Sequence, residues 1–568
     1  MDNRARGTRV FVFGADALTP SLVRQWAAAG YLPNFARLIA EGCFGKLRST
    51  GEFSSPQAWP SFMTGVNPGK HGIFSFMQRV PGTYQVHHST SQDIRAETIF
   101  SILSRHHRKV AALNFPCTYP AQPVNGIVIS GWLTPSLRAN QATYPASLAD
   151  QIRTHFGDYP FHADAKRHVI AGNNQQALTN LTDALQAKVK VGEYLYDQQP
   201  WDLFGLAVVE TDAVQHYFWP YCDPQHPLYD QVDRSWCENP ILELYQQVDE
   251  ALGKFMQKID DQTILIVMSD HGAGILNQGR AYVRSFLEEL GLLVVKQPAG
   301  AGLLGSVRSR LRRLLERIGR EWLPKGMKSS LLAKPLARRW VENYFAKSFI
   351  AQNDWSRTQA YSFYWETQPW INLAGREPDG IVQPGEEYEQ VRDYIIQTLS
   401  RARDQATGQP AVDKVFRREE LYHGPYLENF PDIAIWWNMK IPLSGLVVED
   451  EQGRAITAKQ EIDMAGLYGG HSPDGTIGLW GPGIHRGQTL EGAKIEDLAP
   501  TILYLLGHAV PAYMDGEPLR RAMTPLAAQR PVEYEDSGHQ EREPEPEEVY
   551  SPEDEQAVAE RLRDLGYI

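Results

Sequence analysis

Cysteine is scarce in this chain. There are four in 568 residues, Cys43, Cys117, Cys222 and Cys237, and they form no Cys-x-x-Cys pair. They read as reduced thiols, which argues against both a disulfide framework and a zinc knuckle. Long apolar runs are missing too: none approaches the ~18 residues that a membrane span needs. The first residues, Met1-Asp-Asn-Arg-Ala-Arg-Gly7, lead directly towards a strand with no signal-like apolar stretch, so the expected location is cytoplasmic. Positive charge is in deficit: a formal net charge of −12 argues against a partner that is a nucleic-acid polymer. No internal repeat is visible. What remains is ordinary for a globular protein, 42% hydrophobic and 22% charged, long enough for one large domain with insertions or for two domains.

The most informative stretch is Thr263-Ile-Leu-Ile-Val-Met-Ser-Asp270-His271-Gly272. Its apolar run is too short for a helix and suits a central parallel strand covered on both faces. Asp270 and His271 then fall where open α/β sheets place their ligands. A carboxylate beside an imidazole there begins a metal site, although an Asp capping the next helix and a His on a turn would look the same. Two further strands end alike. Arg9-Val-Phe-Val-Phe-Gly-Ala runs into Asp16. Residues 201–209 run into Glu210-Thr-Asp212-Ala-Val-Gln-His216. Asp212 and His216 are four apart, so a helical turn puts them on one face.

Ser54-Ser55-Pro56 reads as a helix start, with Ser55 as N-cap, Pro56 at the first helical position and Gly65 closing the helix. Ser55 is either a cap alone or a nucleophile held at a helix N-terminus. Late in the chain, Tyr468-Gly-Gly-His471-Ser-Pro-Asp-Gly475 sets a histidine in a glycine-rich loop ahead of a strand over 477–480.

Residues 8–295 and 351–520 are expected to form one catalytic domain. Between them, residues 296–350 read as a basic helical insertion, with Arg308, Arg310, Arg312, Arg313 and Arg317 interleaved with an apolar stripe. Such a segment can lie on a membrane surface, cap an anionic substrate, or simply be a solvated helix packed on the body. Residues 525–568 read as an acidic, Pro-rich tail with a short terminal helix.

Asp16, Asp212 and Asp270 all follow strands, so they should converge on one sheet edge. With His216, His271, His471 and Ser55 they make a set large enough for two metal ions sharing a nucleophile. The order of these residues and the words around them resemble the alkaline phosphatase superfamily, and within it the type I phosphodiesterase / nucleotide pyrophosphatase branch. Those words are Phe13-Gly-Ala-Asp16, the segment from Ser55 to Gly72, Glu210-Thr-Asp212-Ala-Val-Gln-His216, Ser269-Asp270-His271-Gly272 and Gly470-His471.

The resemblance implies an α/β fold: an alkaline-phosphatase-like three-layer sandwich around a mostly parallel sheet. It implies a metal-dependent phosphodiesterase or phosphatase acting through a serine phospho-enzyme intermediate. Asp16, Ser55, Asp270 and His271 would hold one divalent ion and Asp212, His216 and His471 the other, with zinc the first choice and manganese or iron the alternatives. The substrate would be a phosphorylated small molecule, a nucleotide or a lipid head group.

This sequence departs from the pattern in two ways. Proline spacing alone would nominate Ser54 as nucleophile, whereas distance to Thr64-Gly65 selects Ser55. The asparagine that the family carries three residues after the nucleophile is Ala58 here. A metal-dependent phosphomutase or a non-catalytic anion-binding module would use similar residues.

Overall fold

Runs of apolar, largely β-branched or aromatic residues build a central sheet buried on both faces. In the computed structural model, which describes residues 7–296, 352–363, 368–449, 455–461, 464–536 and 549–564, the strands of this sheet are nine. In chain order they are β1 (Arg9–Ala15), β2 (Cys43–Arg48), β3 (Val110–Leu113), β4 (Gly126–Ile129), β5 (Thr143–Tyr144), β6 (Leu203–Val208), β7 (Thr263–Met268), β8 (Asp474–Trp480) and β9 (Gln488–Lys494). Their spatial order is β9-β2-β8-β7-β1-β6-β3-β4-β5. All run in one direction except β8, antiparallel to both its neighbours, and β5 at the edge. The architecture is α/β with a mostly parallel sheet, as expected.

Helices cover both faces, and alternation along β1 shows how. Phe11 and Phe13 point to one side, where their rings lie 4.7 and 6.2 Å from Phe255 of the helix Pro240–Lys258. Gly14 points to the other side, against the indole of Trp59 on the helix Ser55–Thr64. Phe115 continues that second layer, packed on Trp59, Phe62 and Phe100.

β1 lies between β6 and β7 in parallel register, Gly14 opposite Ala207 on one side and Met268 on the other. The chain therefore leaves all three strands at the same edge. β8 runs the opposite way, so it begins where they end. The segment just before it, Gly469–Ser472, pairs with Gly272–Ile275, the segment just after β7. His471, expected in a loop, instead belongs to this short antiparallel ribbon.

Residues 368–449 add a smaller lobe above that edge. It contains the helix Glu386–Leu399 and the paired strands Val412–Arg417 and Ile433–Trp437. A buried ion pair braces it from within, Arg376 donating to both oxygens of Asp432 at 2.7 Å, and another joins it to the body, Arg79 donating to Glu377 at 3.0 Å. The basic stretch over 303–340 and the acidic stretch over 537–548 lie outside the described residues. Beyond the latter, the helix Pro552–Asp564 packs back on the body through fully buried Val558 and Leu562.

Candidate active site

Three strand ends and one ribbon deliver the predicted residues. Asp16 follows β1, Asp270 and His271 follow β7, and Asp212 and His216 sit on the helix Glu210–Phe218 that follows β6. They form two groups in which the ligand atoms lie within 4.8 Å of one another: Asp16, Asp270 and His271, and Asp212, His216 and His471. In the first, His271 Nε2 is 3.3 Å from Asp270 Oδ2 and 3.6 Å from Asp16 Oδ1. In the second, Asp212 Oδ1 is 3.2 Å from His216 Nε2 and 3.5 Å from His471 Nε2. The groups abut: the His271 and His471 rings stack with centroids 3.9 Å apart.

Ser55 joins the first group. Its hydroxyl lies 2.9 Å from His271 Nε2 and 3.3 Å from Asp16 Oδ1, and the residue is fully buried. Ser54 is only half-buried. The helix start differs from the sequence reading by one position: Ser54 is the N-cap, Ser55 the first helical residue and Pro56 the second. The reason is visible in the backbone, where the Ser54 carbonyl accepts from Gln57 and Ala58 N–H at 3.0 and 2.9 Å. Proline lacks the N–H that the first turn leaves unpaired, so it fits either position. Gly65 closes the helix in the left-handed conformation, as expected.

The donor chemistry fits divalent cations. Asp270 Oδ2 and Asp212 Oδ2 are buried without a hydrogen-bond partner among the described residues. An orphaned carboxylate oxygen in an apolar interior is costly unless a cation or donor reaches it. Burial first, then the neighbouring Asp270 and Asp212 charges, push the Asp16 carboxyl well above its ordinary range, and burial raises Asp270 too. Burial also works against ionisation of Asp212, but the adjoining His216 and His471 outweigh it and hold that carboxyl low. Burial and His271 bring His471 down to about 3, so its imidazole is neutral and its lone pair available. Backbone carbonyls face the other ring nitrogens: Gly469 O lies 2.6 Å from His216 Nδ1 and Gly272 O 3.0 Å from His271 Nδ1. Protonation there turns Nε2 towards the carboxylates as an acceptor, the arrangement found behind metal-bound histidines.

Several supporting residues carried no readable signal in the sequence. Trp59 donates its indole N–H to Asp16 Oδ2 at 3.0 Å. Thr211 donates to the Asp16 carbonyl at 2.5 Å. Gln215 donates to the Ala17 carbonyl at 2.9 Å and accepts from Thr19 and Tyr245 hydroxyls. Ala17 takes a positive φ of 55° and aims its N–H at Asp270 Oδ1, 3.2 Å away. Tryptophan, threonine and glutamine in helices read as packing; only spacing to the ligands, Gln215 next to His216 and Trp59 four after Ser55, could have marked them.

A cleft of about 190 Å³ opens over the second group, lined by His216 and His471 and walled by Phe53, Phe74, Trp436 and Trp437. Glu52, Asn277 and Arg280 supply its polar side.

Two three-residue clusters of candidate metal ligands at the C-terminal edge of a mostly parallel sheet, with a serine at a helix start beside the first, agree with the alkaline phosphatase superfamily as the class. Over residues 10–321, more than half of its length, the sequence matches the type I phosphodiesterase / nucleotide pyrophosphatase family, and the chain belongs to that family. No curated protein matches it. Among solved structures it is similar to human ectonucleotide pyrophosphatase / phosphodiesterase 5, with 12% identity, 91% of this chain and 100% of that one covered, and a TM-score of 0.48. It is also similar to phosphonoacetate hydrolase from Sinorhizobium meliloti 1021, with 15% identity, 88% and 95% covered, and a TM-score of 0.47.

Proposed function

We propose that this chain is a metal-dependent phosphoric ester hydrolase in which Ser55 is the nucleophile. The observation that carries the reading is the buried Ser55 hydroxyl, 2.9 Å from His271 Nε2 and 3.3 Å from Asp16 Oδ1, beside two clusters that each hold one carboxylate oxygen, Asp270 Oδ2 and Asp212 Oδ2, with no hydrogen-bond partner among the described residues. Asp16, Ser55, Asp270 and His271 would hold one divalent ion and Asp212, His216 and His471 the other. When bound, such ions supply charge neutralisation for an in-line displacement at phosphorus. Zinc suits the mixed imidazole and carboxylate donors, with manganese or iron as alternatives.

The Ser55 hydroxyl gives up its proton as its oxygen attacks phosphorus, the ester oxygen leaves with its electron pair and takes up a proton, and a phosphoserine results. Water then loses a proton as it attacks that phosphorus from the vacated side, and the Ser55 oxygen leaves and is reprotonated. Trp59 and the Ala17 N–H hold Asp16 and Asp270 in place throughout. The aromatic walls Phe53 and Trp436 favour a flat leaving group, and Arg280 an anionic one, so a phosphodiester or nucleotide-like substrate is the first choice.

The test is hydrolysis of a chromogenic phosphodiester. Ser55→Ala should lower kcat by on the order of 10³-fold or more, whereas Ser54→Ala should stay within about tenfold of the parent. Undiminished turnover by Ser55→Ala would rule out this nucleophile.

A further inference from the structure

Ala58 and Pro56 leave the start of the Ser55–Thr64 helix short of donors for a phosphoryl oxygen. Ala58 has no polar side chain and is fully buried, and Pro56 has no N–H. We infer that Glu52 fills this role, presenting a neutral carboxyl whose Oε1–H donates to a non-bridging oxygen of an anionic phosphodiester. This deepens the reading of the site as one for phosphoric esters and rests on it.

The geometry fixes which oxygen carries the proton. Tyr422 donates its hydroxyl to Gln57 Oε1 at 2.9 Å, which orients that amide so that its nitrogen points the other way. Gln57 Nε2 then donates to Glu52 Oε2 at 3.0 Å. Oε2 is thereby an acceptor, and a proton on the carboxyl belongs on Oε1. Oε1 is buried and has no partner among the described residues, while Glu52 is one of the residues lining the cleft, as are Ser54, Pro56 and, from the second cluster, His471. The turn carrying it is held: Phe53 N–H donates to the Thr50 carbonyl at 3.0 Å, and Trp436 Nε1 donates to the Gly51 carbonyl at 2.6 Å.

A neutral carboxyl can donate to an anion, and an ionised one repels it. Burial raises Glu52 from 4.5 to about 8, with the Gln57 amide opposing. The other titratable groups that face it are the Tyr422 hydroxyl behind Gln57, pushed far up by burial, and, across the cleft, His216, His471 and Arg280.

The experiment measures binding without turnover. Quenching of tryptophan fluorescence by bis(4-nitrophenyl) phosphate, whose single charge is constant from about pH 6 to about pH 10, is recorded in Ser55→Ala protein, alone and with Glu52→Gln or Glu52→Ala added. In the Ser55→Ala protein affinity should fall about tenfold between about pH 7 and about pH 9, following the loss of the Glu52 proton. Adding Glu52→Gln, a donor that cannot ionise, should lower affinity at pH 7 by a few-fold and abolish the fall. Adding Glu52→Ala should weaken binding at pH 7 further and also remove the fall. The inference is overturned if either double variant keeps the parent's pH dependence, or if Glu52→Ala binds as tightly as the parent at pH 7. Because the readout is binding, its failure is separate from that of the hydrolase reading, which is decided by turnover of Ser55→Ala.

Discussion

A single missing methyl group makes room for the side chain that positions Asp16, a proposed ligand of the site. A Cβ on Gly14 would stand 2.7 Å from the Trp59 ring, closer than real contacts allow. Trp59 occupies that space and holds Asp16 through its indole N–H. Gly14→Ala should therefore push the indole aside, cost about 1–3 kcal/mol as an overpacked core position, and weaken metal binding through Asp16. Thermal melting and metal titration of the variant check both effects; a normal melt with full metal affinity would show that Trp59 does not support the ligand. Residues of this kind were silent in the sequence. Neither Gly14 nor Trp59 carries a local signal of this role, because their pairing is made across two layers of the fold. Glu52 was silent for a related reason: its environment comes from Gln57 and Tyr422, the second more than three hundred positions away.

At the scale of elements, the candidate ligands legible in the sequence are those that follow strands. Asp16, Asp212 and Asp270 were readable because each ends an apolar run, and a parallel sheet sends such ends to one edge. Asp212 and His216 were readable as a helical pair by their spacing. His471 lies in the second cluster, but on a strand where its glycines suggest a loop. Its ribbon is four residues long, glycine-rich and defined only by pairing with Gly272–Ile275, so no local pattern announces it. The helix carrying Ser55 starts one position earlier than the sequence suggests, because Ser-Ser-Pro satisfies the capping rules in either register. The ribbon also makes a prediction. A Cβ on Gly469 would stand 2.3 Å from the Gln215 carbonyl, on the helix that carries Asp212 and His216. Gly469 O also faces His216 Nδ1 at 2.6 Å. Gly469→Ala should pry ribbon from helix and weaken the second ion by roughly 10–100-fold, the range for disturbing a ligand's supporting hydrogen bond, while sparing the first. Equal loss at both sites, or at neither, in a two-site metal titration would contradict this.

At the scale of the molecule, one sheet edge collects side chains from residue 16 to residue 471. The antiparallel strand β8 is what makes this collection complete, since it lets the chain re-enter at the edge where the parallel strands leave it. The small lobe over 368–449 then closes the aromatic side of the cleft with Trp436 and Trp437, and the buried Arg79–Glu377 pair and the Trp436 N–H donated to the Gly51 carbonyl join that lobe to the body. The overall class was legible because short apolar runs ending in Asp suit central parallel strands, and because the words around those residues resemble the alkaline phosphatase superfamily. The lobe was not, because its strands are short and its anchoring charges come from distant segments.

The account turns on two adjoining clusters each holding one divalent ion. Elemental analysis of the purified, zinc-loaded protein, run beside Asp270→Asn and Asp212→Asn, tests it most directly. The prediction is about two ions per chain in the parent and about one in each variant. A parent that retains none, or variants that both keep the full complement, would contradict it.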